Sequence, residues 1–333
     1  MNRRKFVTHT AKAGAALSVM GTFACKEDKK QKEPKDEAAT LDAPVDPFFK
    51  LSLAQWSINK MIRFEEVDPY TFAQKAKSWG FEGLEYVSQL YNKELEAAGY
   101  SDQAMKSFVD KCNAAAKKYG LSNVLIMVDG QGDLAAEDTD QRRVAVETHY
   151  KWVDAAAAMG CHAIRVNLNG VQEPQPWKTA SVDGLTQLAT YAAGKNINII
   201  VENHGGLSSN AALLSEVMAT VNMPNCGTLP DFGNFCIKRE SGDYYESKCL
   251  EEYDKYTGVK ELMPYAKAVS AKSYDFDTAG NETKIDYTKM LEIVKNAGYT
   301  GYIGVEYEGE GLSEEAGILA TKELLLNTAK KLG

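Results

Sequence analysis

The sequence predicts an α/β fold of the (β/α)8 TIM-barrel class, and three observations lead to it. Short apolar runs alternate eight times with longer segments of helical periodicity, which is typical of parallel strands joined by crossover helices. The 286 residues from 48 to 333 exceed the ~250 that such a barrel typically needs. The turn after the first run, Gln55-Trp56-Ser57-Ile58, lacks the glycines of a dinucleotide-binding sheet. We therefore favour a closed barrel over an open, doubly wound sheet.

Each predicted strand is a short, mostly aliphatic run bounded by polar or glycine-containing sequence. In chain order, the eight strands are expected at 51–56, 83–87, 122–127, 163–167, 197–202, 227–231, 268–273 and 302–306. The helices that follow them are expected at 69–79, 102–119, 139–159, 182–193, 210–220, 250–263, 287–296 and 313–331. Four of these helices are followed by a glycine suited to a left-handed cap: Gly80, Gly120, Gly160 and Gly298.

The connection between the sixth strand and its helix is unusually long. Residues 232–249 are mostly polar, and a loop of this length inside a barrel domain is usually functional. We expect this segment to form a lid or a wall of the site.

The first 25 residues are expected to be an export signal outside the fold. Arg3, Arg4 and Lys5 precede a weakly apolar stretch rich in Ala and Gly, a pattern typical of twin-arginine signals. The stretch ends in a segment that resembles a lipoprotein cleavage box, which would make Cys25 the lipidated N-terminus of a periplasmic or outer-membrane-anchored protein. The alternative is a basic tail that is never removed. Residues 26–47 are charged and contain proline, so we expect a flexible tether.

The charge of the chain excludes one class of partner. The formal net charge is −8, and residues 1–24 contribute four basic and no acidic residues, so the remainder carries −12. Such an acidic body repels phosphate, and we expect no nucleic-acid partner. No apolar run of about 20 residues follows residue 24, so membrane contact is expected only through the signal or the lipid.

Five cysteines remain beyond Cys25, and an odd number means that they are not all paired. Export would permit disulfides. Cys236 and Cys249 lie in the same polar stretch. They could form a disulfide or remain two free thiols, and the sequence favours neither alternative. The other three lie in apolar or element-boundary contexts and are expected to be buried thiols: Cys112, Cys161 and Cys226.

Carboxylates end three of the predicted strands. Glu202, Asp231 and Glu306 each close an apolar run, on strands five, six and eight. Active sites of these barrels lie at the C-terminal ends of the strands. One such acid alone would be a solvated charge or a helix cap, but three at one narrow mouth repel one another, so a cation is expected among them. Oxygen ligands favour Mn²⁺ or Mg²⁺, with Zn²⁺ or Co²⁺ as alternatives.

The chain has four histidines, of which His204 is expected nearest this mouth. His9 lies in the signal, whereas His149 and His162 are expected to be structural. A site built from several histidines is therefore excluded. Three other polar residues lie on strands two and four. Asn167 is expected to face the mouth, whereas Arg165 is expected to be a structural ion-pair partner. Glu85 could be either a member of the site or a structural acid, and both interpretations stay open.

Four motifs together resemble one superfamily over about residues 48–333. They are VENHGG at 201–206, LPDFGNF at 229–235, AKAVSAKSYDF at 266–276 and GYIGVEYEG at 301–309. The chain resembles the xylose-isomerase-like TIM-barrel superfamily, the sugar phosphate isomerase/epimerase group. This resemblance implies metal ligands at Glu202, Asp231 and Glu306. A fourth ligand, a strand-seven histidine in the family, aligns with Ser270, which is a weak neutral ligand. With Ser270 at this position, three alternatives stay open. The metal is bound more loosely, or His204 or water replaces the missing ligand, or the protein is a metal-free member of the family.

The resemblance also implies an isomerase or epimerase that moves a proton next to a carbonyl through an enediolate. Glu202 and Glu306 would serve as base and acid, while His204 and Lys272 would polarise the carbonyl or relay protons. Substrate contacts would come from six further residues: Gln55, Trp56, Asn167, Asn203, Asn234 and Tyr307.

Two other functions remain as alternatives. A lyase or hydratase acting on a keto sugar or keto-glycoside would begin with the same proton abstraction and then expel a neighbouring oxygen. A non-catalytic carbohydrate-binding lipoprotein would keep the barrel without the chemistry. In each case the partner is a small carbohydrate, and we expect it to be unphosphorylated, because the sequence has no basic cluster to hold phosphate. A nuclease on the same fold is disfavoured by the acidic charge.

Overall fold

The computed structural model describes residues 46–245 and 247–333. The predicted signal over 1–25, with Cys25, and nearly all of the predicted tether over 26–47 lie outside the described residues. Within the described part of the chain, no helix combines the length and the apolar character that crossing a membrane requires.

Eight parallel strands form one sheet that closes into a barrel, which confirms the predicted fold class. They are β1 (Lys50–Ala54), β2 (Gly83–Val87), β3 (Ser122–Met127), β4 (Ala163–Val166), β5 (Asn198–Glu202), β6 (Cys226–Leu229), β9 (Val269–Ser273) and β10 (Tyr302–Tyr307). The seventh and eighth predicted strands are thus β9 and β10. Two further strands, β7 (Cys236–Arg239) and β8 (Cys249–Glu252), form a separate antiparallel hairpin.

The barrel closes between β6 and β9 through isolated bridges rather than a continuous ladder. Asp231, beyond the end of β6, is bridged to Ser270 on β9. The Ser270 N–H donates to the Pro230 carbonyl at 3.0 Å, and the Phe232 N–H donates to the Ser270 carbonyl at 3.1 Å. This closing junction therefore holds Asp231 and Ser270 side by side at the mouth of the barrel.

Helices cover the outside of the sheet. They are α1 (Asn59–Phe64), α2 (Phe72–Ser78), α3 (Asn92–Ala97), α4 (Asp102–Tyr119), α5 (Thr139–Met159), α6 (Pro174–Ala193), α7 (Ala211–Val221), α8 (Lys255–Leu262), α9 (Tyr287–Asn296) and α10 (Glu314–Leu332). Side-chain caps start several of them, such as Ser101 before α4 and Asp138 before α5. Gly120 and Gly160 end the same two helices in the left-handed conformation, as the sequence predicts.

Three predicted helices start more than one residue away from their predicted position. The first, predicted over 69–79, becomes an α-helix only at Phe72, because Pro69–Thr71 form a 3-10 turn. α6 begins at Pro174 rather than at 182, because Pro174 and Pro176 lie in its first turn, where a missing N–H costs no hydrogen bond. The helix predicted over 250–263 begins only at Lys255, because residues 249–252 form β8 and pair with β7.

The long polar connection after β6 is largely this β7–β8 hairpin. Cys236 and Cys249 are joined across it by a disulfide. Cys112 and Cys161 are buried free thiols, and Cys226 is a half-buried one.

The hydrophobic core lies between the strands and the helices, whereas the barrel interior is small and polar. Along β10, Ile303 and Val305 are fully buried on the face opposite Gly304 and Glu306. The residue paired with Gly304 on β1 is Ser52, and the one paired with it on β9 is Ser270. Small inward residues leave room inside the barrel for longer polar side chains from neighbouring strands.

Candidate functional site

Three acids from distant parts of the chain meet at the C-terminal ends of the strands. Glu202 ends β5, Asp231 follows β6, and Glu306 lies near the end of β10. Each offers one carboxylate oxygen, and these oxygens all lie within 4.8 Å of one another. None of the three residues is more than 4 % exposed. We call these three residues the acid cluster.

Lys272 on β9 places a buried positive charge against the acid cluster. Its Nζ lies 3.0 Å from Glu306 Oε1, 2.9 Å from Glu308 Oε1 and 3.8 Å from Asp231 Oδ2. Burial alone would lower the pKa of Lys272, but the attraction of Glu306 and Glu308 raises it well above the ordinary value. The side chain therefore stays protonated.

Arg165 on β4 approaches the cluster from the other side. Its Nη1 donates to Asp129 Oδ1 at 2.7 Å and to Asn167 Oδ1 at 3.1 Å. Its Nε lies 2.9 Å from Glu202 Oε2, but the angle does not make a hydrogen bond. Asn234 Nδ2 donates to the other oxygen of Glu202, at 3.0 Å. Glu202 Oε2 is thus a buried oxygen with an ionic neighbour and no hydrogen-bond donor in the described structure.

Ser270 lies between two members of the acid cluster. Its Oγ is 2.7 Å from Asp231 Oδ2 and 2.9 Å from Glu306 Oε2. A hydroxyl has one hydrogen and can donate to only one of them at a time, so the other short contact needs a second proton or a cation. Burial raises the pKa of Asp231 and of Glu202. Burial would also raise the pKa of Glu306, but Lys272 lowers it below the ordinary value.

The arrangement fits a divalent cation. Two buried cations, Arg165 and Lys272, face a larger number of carboxylates: Asp129, Glu202, Asp231, Glu306 and Glu308. This negative excess and the unpartnered oxygen of Glu202 match the needs of a hard metal ion, which prefers several oxygen ligands. Ser270 takes part through its hydrogen bonds to two of those acids.

His204 borders the cluster under the β7–β8 hairpin. Burial lowers the pKa of His204 to about 4, with a further contribution from Arg165, so the imidazole is neutral at pH 7. Its Nδ1 makes no hydrogen bond within the described residues. The imidazole centroid lies 4.7 Å from that of Tyr245, a hairpin residue that the sequence analysis missed.

The hairpin forms a wall over the β4–β5 side of the mouth. Gly205 and Gly206 have φ of +85° and +61°, and Tyr244 packs on both so closely that a Cβ would collide with it. The Tyr244 hydroxyl donates to the Gly170 carbonyl at 3.2 Å. The two adjacent glycines of the VENHGG motif were the signal in the sequence that another part of the chain packs closely here.

Gln55 and Asn203, both predicted to bind substrate, use their amide groups within the fold. Gln55 Nε2 donates to the Pro69 carbonyl and the Tyr91 hydroxyl, and its Oε1 accepts from the Val87 N–H. Asn203 Nδ2 donates to the carbonyls of residues 231 and 234, and its Oδ1 accepts from the N–H of residue 231. These contacts join neighbouring loops and do not support a direct substrate role.

Tyr307 lies on the opposite face of β10 from Glu306. Its ring packs on Gly317 of α10, and its hydroxyl bonds with the backbone of Leu312. These contacts do not support its predicted role as a sugar contact either. Trp56, in contrast, is half-buried in the turn after β1 and borders a cavity beside Glu308.

Glu85 on β2 points into the barrel below the acid cluster. Ser52 Oγ donates to its Oε1 at 2.5 Å, while its Oε2 makes no hydrogen bond in the described residues. The carboxyl group occupies the space beside Gly304, which is two residues before Glu306 on the same face of β10. Burial raises the pKa of Glu85 to about 8. The side chain is therefore mostly neutral at pH 7.

Comparison with known proteins agrees with this architecture. A family model described as xylose isomerase-like TIM barrel matches residues 73–328. No curated protein sequence matches the chain.

Solved structures similar to this chain include 3-keto-D-glucoside 4-epimerase from E. coli, at 14% identity and a TM-score of 0.63, over 84% of this chain and 99% of that one. An L-ribulose 3-epimerase is similar at 13% identity and a TM-score of 0.63, over 85% and 96% of the two chains. The IOLI protein with a bound zinc atom is similar at 14% identity and a TM-score of 0.62, over 85% and 99%. At these identities the likeness is one of fold.

Proposed function

Because the chain belongs to the xylose isomerase-like TIM barrel family, we propose that it moves a proton at a carbon next to the carbonyl of an unphosphorylated sugar, as sugar isomerases and epimerases do. One observation carries the proposal: three buried acids meet at the catalytic end of the barrel beside an ammonium group. The structural neighbours named as sugar epimerases support the same reaction class.

Glu202, Asp231 and Glu306 would hold a divalent metal, with Mn²⁺ or Mg²⁺ as first choice and Zn²⁺ or Co²⁺ as alternatives. When bound, such an ion supplies positive charge that stabilises an enediolate. A neighbour of the same fold carries zinc, which supports this expectation. Ser270, in place of the histidine expected from the family, contributes a neutral oxygen that orients two of the acids.

The chain's own acids have opposite tendencies in proton transfer. Lys272 keeps Glu306 ionised, so Glu306 is ready to accept a proton from the substrate. Burial raises the pKa of Glu202, so Glu202 takes up and returns a proton more readily than Glu306 does. Two carboxyl groups whose environments push their pKa values apart suit a base and an acid. Protonated Lys272 and neutral His204 would polarise the substrate carbonyl or relay protons.

The test compares Glu306→Gln and Glu202→Gln with Glu216→Gln, a control at an exposed position on α7. Purified, metal-loaded proteins are incubated in D2O with a panel of ketoses and keto-glycosides, and deuterium incorporation at carbon is followed by NMR. We expect each cluster variant to exchange at least ~10²-fold more slowly than the control, which is the usual contribution of one acid–base group. Exchange at the wild-type rate in either variant would remove that residue from proton transfer.

A lyase or hydratase acting on a keto-glycoside is the second candidate. One structural neighbour is named as acting on a 3-keto-D-glucoside. In such a substrate the glycosidic oxygen lies β to the keto group, so removal of the α-proton can be followed by cleavage of the bond between the anomeric carbon and that oxygen. A C=C bond then forms, and the aglycone leaves as an alcohol after it takes up a proton. Release of the aglycone together with deuterium incorporation would favour this candidate over epimerisation. A protein that contains no metal and catalyses neither reaction would instead be the carbohydrate-binding lipoprotein of the third alternative.

We also propose that the protein is exported and anchored through a lipid on Cys25. The basic start and the cysteine after the apolar stretch support this proposal. The test is metabolic labelling with a fatty acid, in which cells that express the wild type are compared with cells that express Cys25→Ala. If the variant is labelled as strongly as the wild type, Cys25 does not carry the anchor.

A further inference from the structure

The two opposite sides of the barrel mouth are built differently. The β7–β8 hairpin, with Tyr244 and Tyr245, covers the β4–β5 side. The β1–β10 side, diametrically across the eight-stranded barrel, contains a cavity of about 210 Å³. It lies between the turn after β1 and the segment after β10, and is lined by Trp56, Asn59, Lys60, Tyr307, Glu308 and Glu314. A substrate that extends beyond the acid cluster therefore has room on the β1–β10 side.

Glu308 connects this cavity to the acid cluster. It lies two residues beyond Glu306, so both carboxylates are on the same face of the chain. Glu308 Oε1 lies 2.9 Å from Lys272 Nζ, which is itself 3.0 Å from Glu306 Oε1. The Glu308 side chain is 28 % exposed, whereas that of Glu306 is 5 % exposed. Glu308 thus lies at the border between the buried cluster and the open cavity.

Some side chains around the cavity already use their polar atoms within the fold, whereas others are available to a ligand. Glu314 is already occupied, because its two carboxylate oxygens accept the N–H groups of Lys60 and Met61 at 2.7 and 2.9 Å. Trp56 is half-buried, and the Arg63 guanidinium lies 5.7 Å from its ring centroid, which restrains the indole. The Trp56 indole and the Glu308 carboxylate together offer an apolar face and a strong hydrogen-bond acceptor.

We propose that this cavity is a subsite for a second, non-reacting sugar ring, so that the substrate is a glycoside of two rings rather than a free monosaccharide. The inference rests on the proposed function, since it places the reacting ring over the acid cluster. The C–H face of the second ring packs on Trp56, and one of its hydroxyls donates to Glu308. A volume of about 210 Å³ is smaller than the ~300 Å³ at which pockets for whole drug-sized ligands begin, and it suits one ring.

Tryptophan fluorescence can test this subsite selectively. The chain has four tryptophans, and Trp79, Trp152 and Trp177 are at most 7 % exposed, so acrylamide quenching reports mainly on Trp56. The full chain, with and without Mn²⁺, is titrated with cellobiose, lactose and maltose, and separately with glucose. We expect at least one disaccharide to protect Trp56 from acrylamide at a concentration ten-fold or more below that of glucose. Equal protection by glucose, or none by any disaccharide, would overturn the subsite.

Two variants provide the matched comparison. Trp56→Ala is expected to lower the disaccharide affinity measured by calorimetry about ten-fold or more. The control is Trp79→Phe, at the C-terminal end of helix α2, and it is expected to bind disaccharides as the wild type does. Trp56→Phe, which keeps an aromatic ring, should restore most of the affinity and shows that the loss is not misfolding. Unchanged affinity in Trp56→Ala contradicts the subsite.

These binding measurements need no turnover. Protection of Trp56 by a disaccharide without any deuterium exchange would contradict the proposed function and keep the subsite. Deuterium exchange into a monosaccharide that equals exchange into glycosides, with no effect of Trp56→Ala, would contradict the subsite and keep the proposed function.

Discussion

Glu306 and Glu85 are buried carboxyl groups inside the same barrel, close to one another along its axis, but their surroundings differ. Glu306 contacts the ammonium of Lys272 and the hydroxyl of Ser270. Glu85 accepts a hydrogen bond from the hydroxyl of Ser52, and among the described residues no cation lies within ion-pair distance of it. Burial raises the pKa of Glu85 to about 8, while the ammonium overcomes burial and lowers the pKa of Glu306. Burial inside the barrel therefore neutralises an acid unless a buried cation keeps it charged.

The largest effect is expected when Lys272 is replaced by Met. This change leaves Glu306 in surroundings like those of Glu85, with an added repulsion from Glu308. Breaking a buried ion pair by removing one partner costs about 3–5 kcal/mol in the free energy of unfolding, which urea denaturation would measure. The same variant should lose deuterium exchange. Lys260→Met, at an exposed position on α8, is the control, and equal stability of the two variants would contradict the importance of the ammonium.

A smaller effect is expected from removing the disulfide of the β7–β8 hairpin. Cys236 and Cys249 are 13 residues apart, and closing a loop of this size stabilises a fold by roughly 3 kcal/mol in the chain-entropy model. The double variant with Ser at both positions should be less stable by up to about that amount and should bind carbohydrate more weakly, because the hairpin wall loosens. Cys226→Ser should respond to a reductant as the wild type does. A double variant with wild-type carbohydrate affinity would show that the wall is held by other contacts.

The pH dependence of stability tests Glu85 directly. Its pKa is raised in the folded protein, so the folded state binds this proton more tightly than the unfolded chain does. The resulting stability is fully present below the ordinary pKa of about 4.5 and is lost as the pH rises to about 8. Between pH 6 and pH 8 we expect a loss of about 2 kcal/mol from this group.

Glu85→Gln should remove that part of the slope, as measured by urea denaturation across the same pH range. Asp102→Asn, at an exposed position at the start of α4, should leave the slope unchanged. A slope that is identical in Glu85→Gln and the wild type would mean that Glu85 is ionised throughout.

The smallest effect is expected at Gly304, which provides the space for the Glu85 carboxyl. A Cβ at this position would collide with that carboxyl group, so Gly304→Ala should cost about 1–2 kcal/mol. In a Glu85→Ala background the cost should largely disappear, because the colliding group is gone. A double-mutant cycle measures this coupling, and additive effects would place the Glu85 side chain elsewhere.

Much of the barrel could be predicted because its signals are local. The bounds of β2, β3, α4, α5 and α9 agree with those predicted from apolar periodicity and glycine caps. The hairpin could not be predicted in the same way. Its strands are four residues long, largely polar, and pair with each other outside the sheet, so neither has an apolar pattern to mark it. The start of α6 was missed because two prolines suggest a loop unless the helix begins with them.

The acid cluster could be predicted, because its three residues end predicted strands and active sites of these barrels lie at the C-terminal ends of the strands. The pairing of Arg165 with Glu202 and the approach of Tyr245 to His204 join residues on different strands and loops, and no local pattern shows such contacts. The outward direction of Tyr307 was available from the sequence, since neighbours along a strand face opposite sides and Glu306 faces inward.

The closing junction between β6 and β9 has a consequence for the order in which the molecule loses structure. It is held by isolated bridges, whereas each of the other neighbouring pairs of barrel strands shares a ladder of at least three residue pairs. Local unfolding begins where few hydrogen bonds must break, so the amides of Phe232 and Ser270 should exchange with solvent before those of β1 and β2. A ligand that bridges Asp231 and Glu306 would tie β6 to β10 across this junction, and occupancy of the site would then protect the whole barrel against opening.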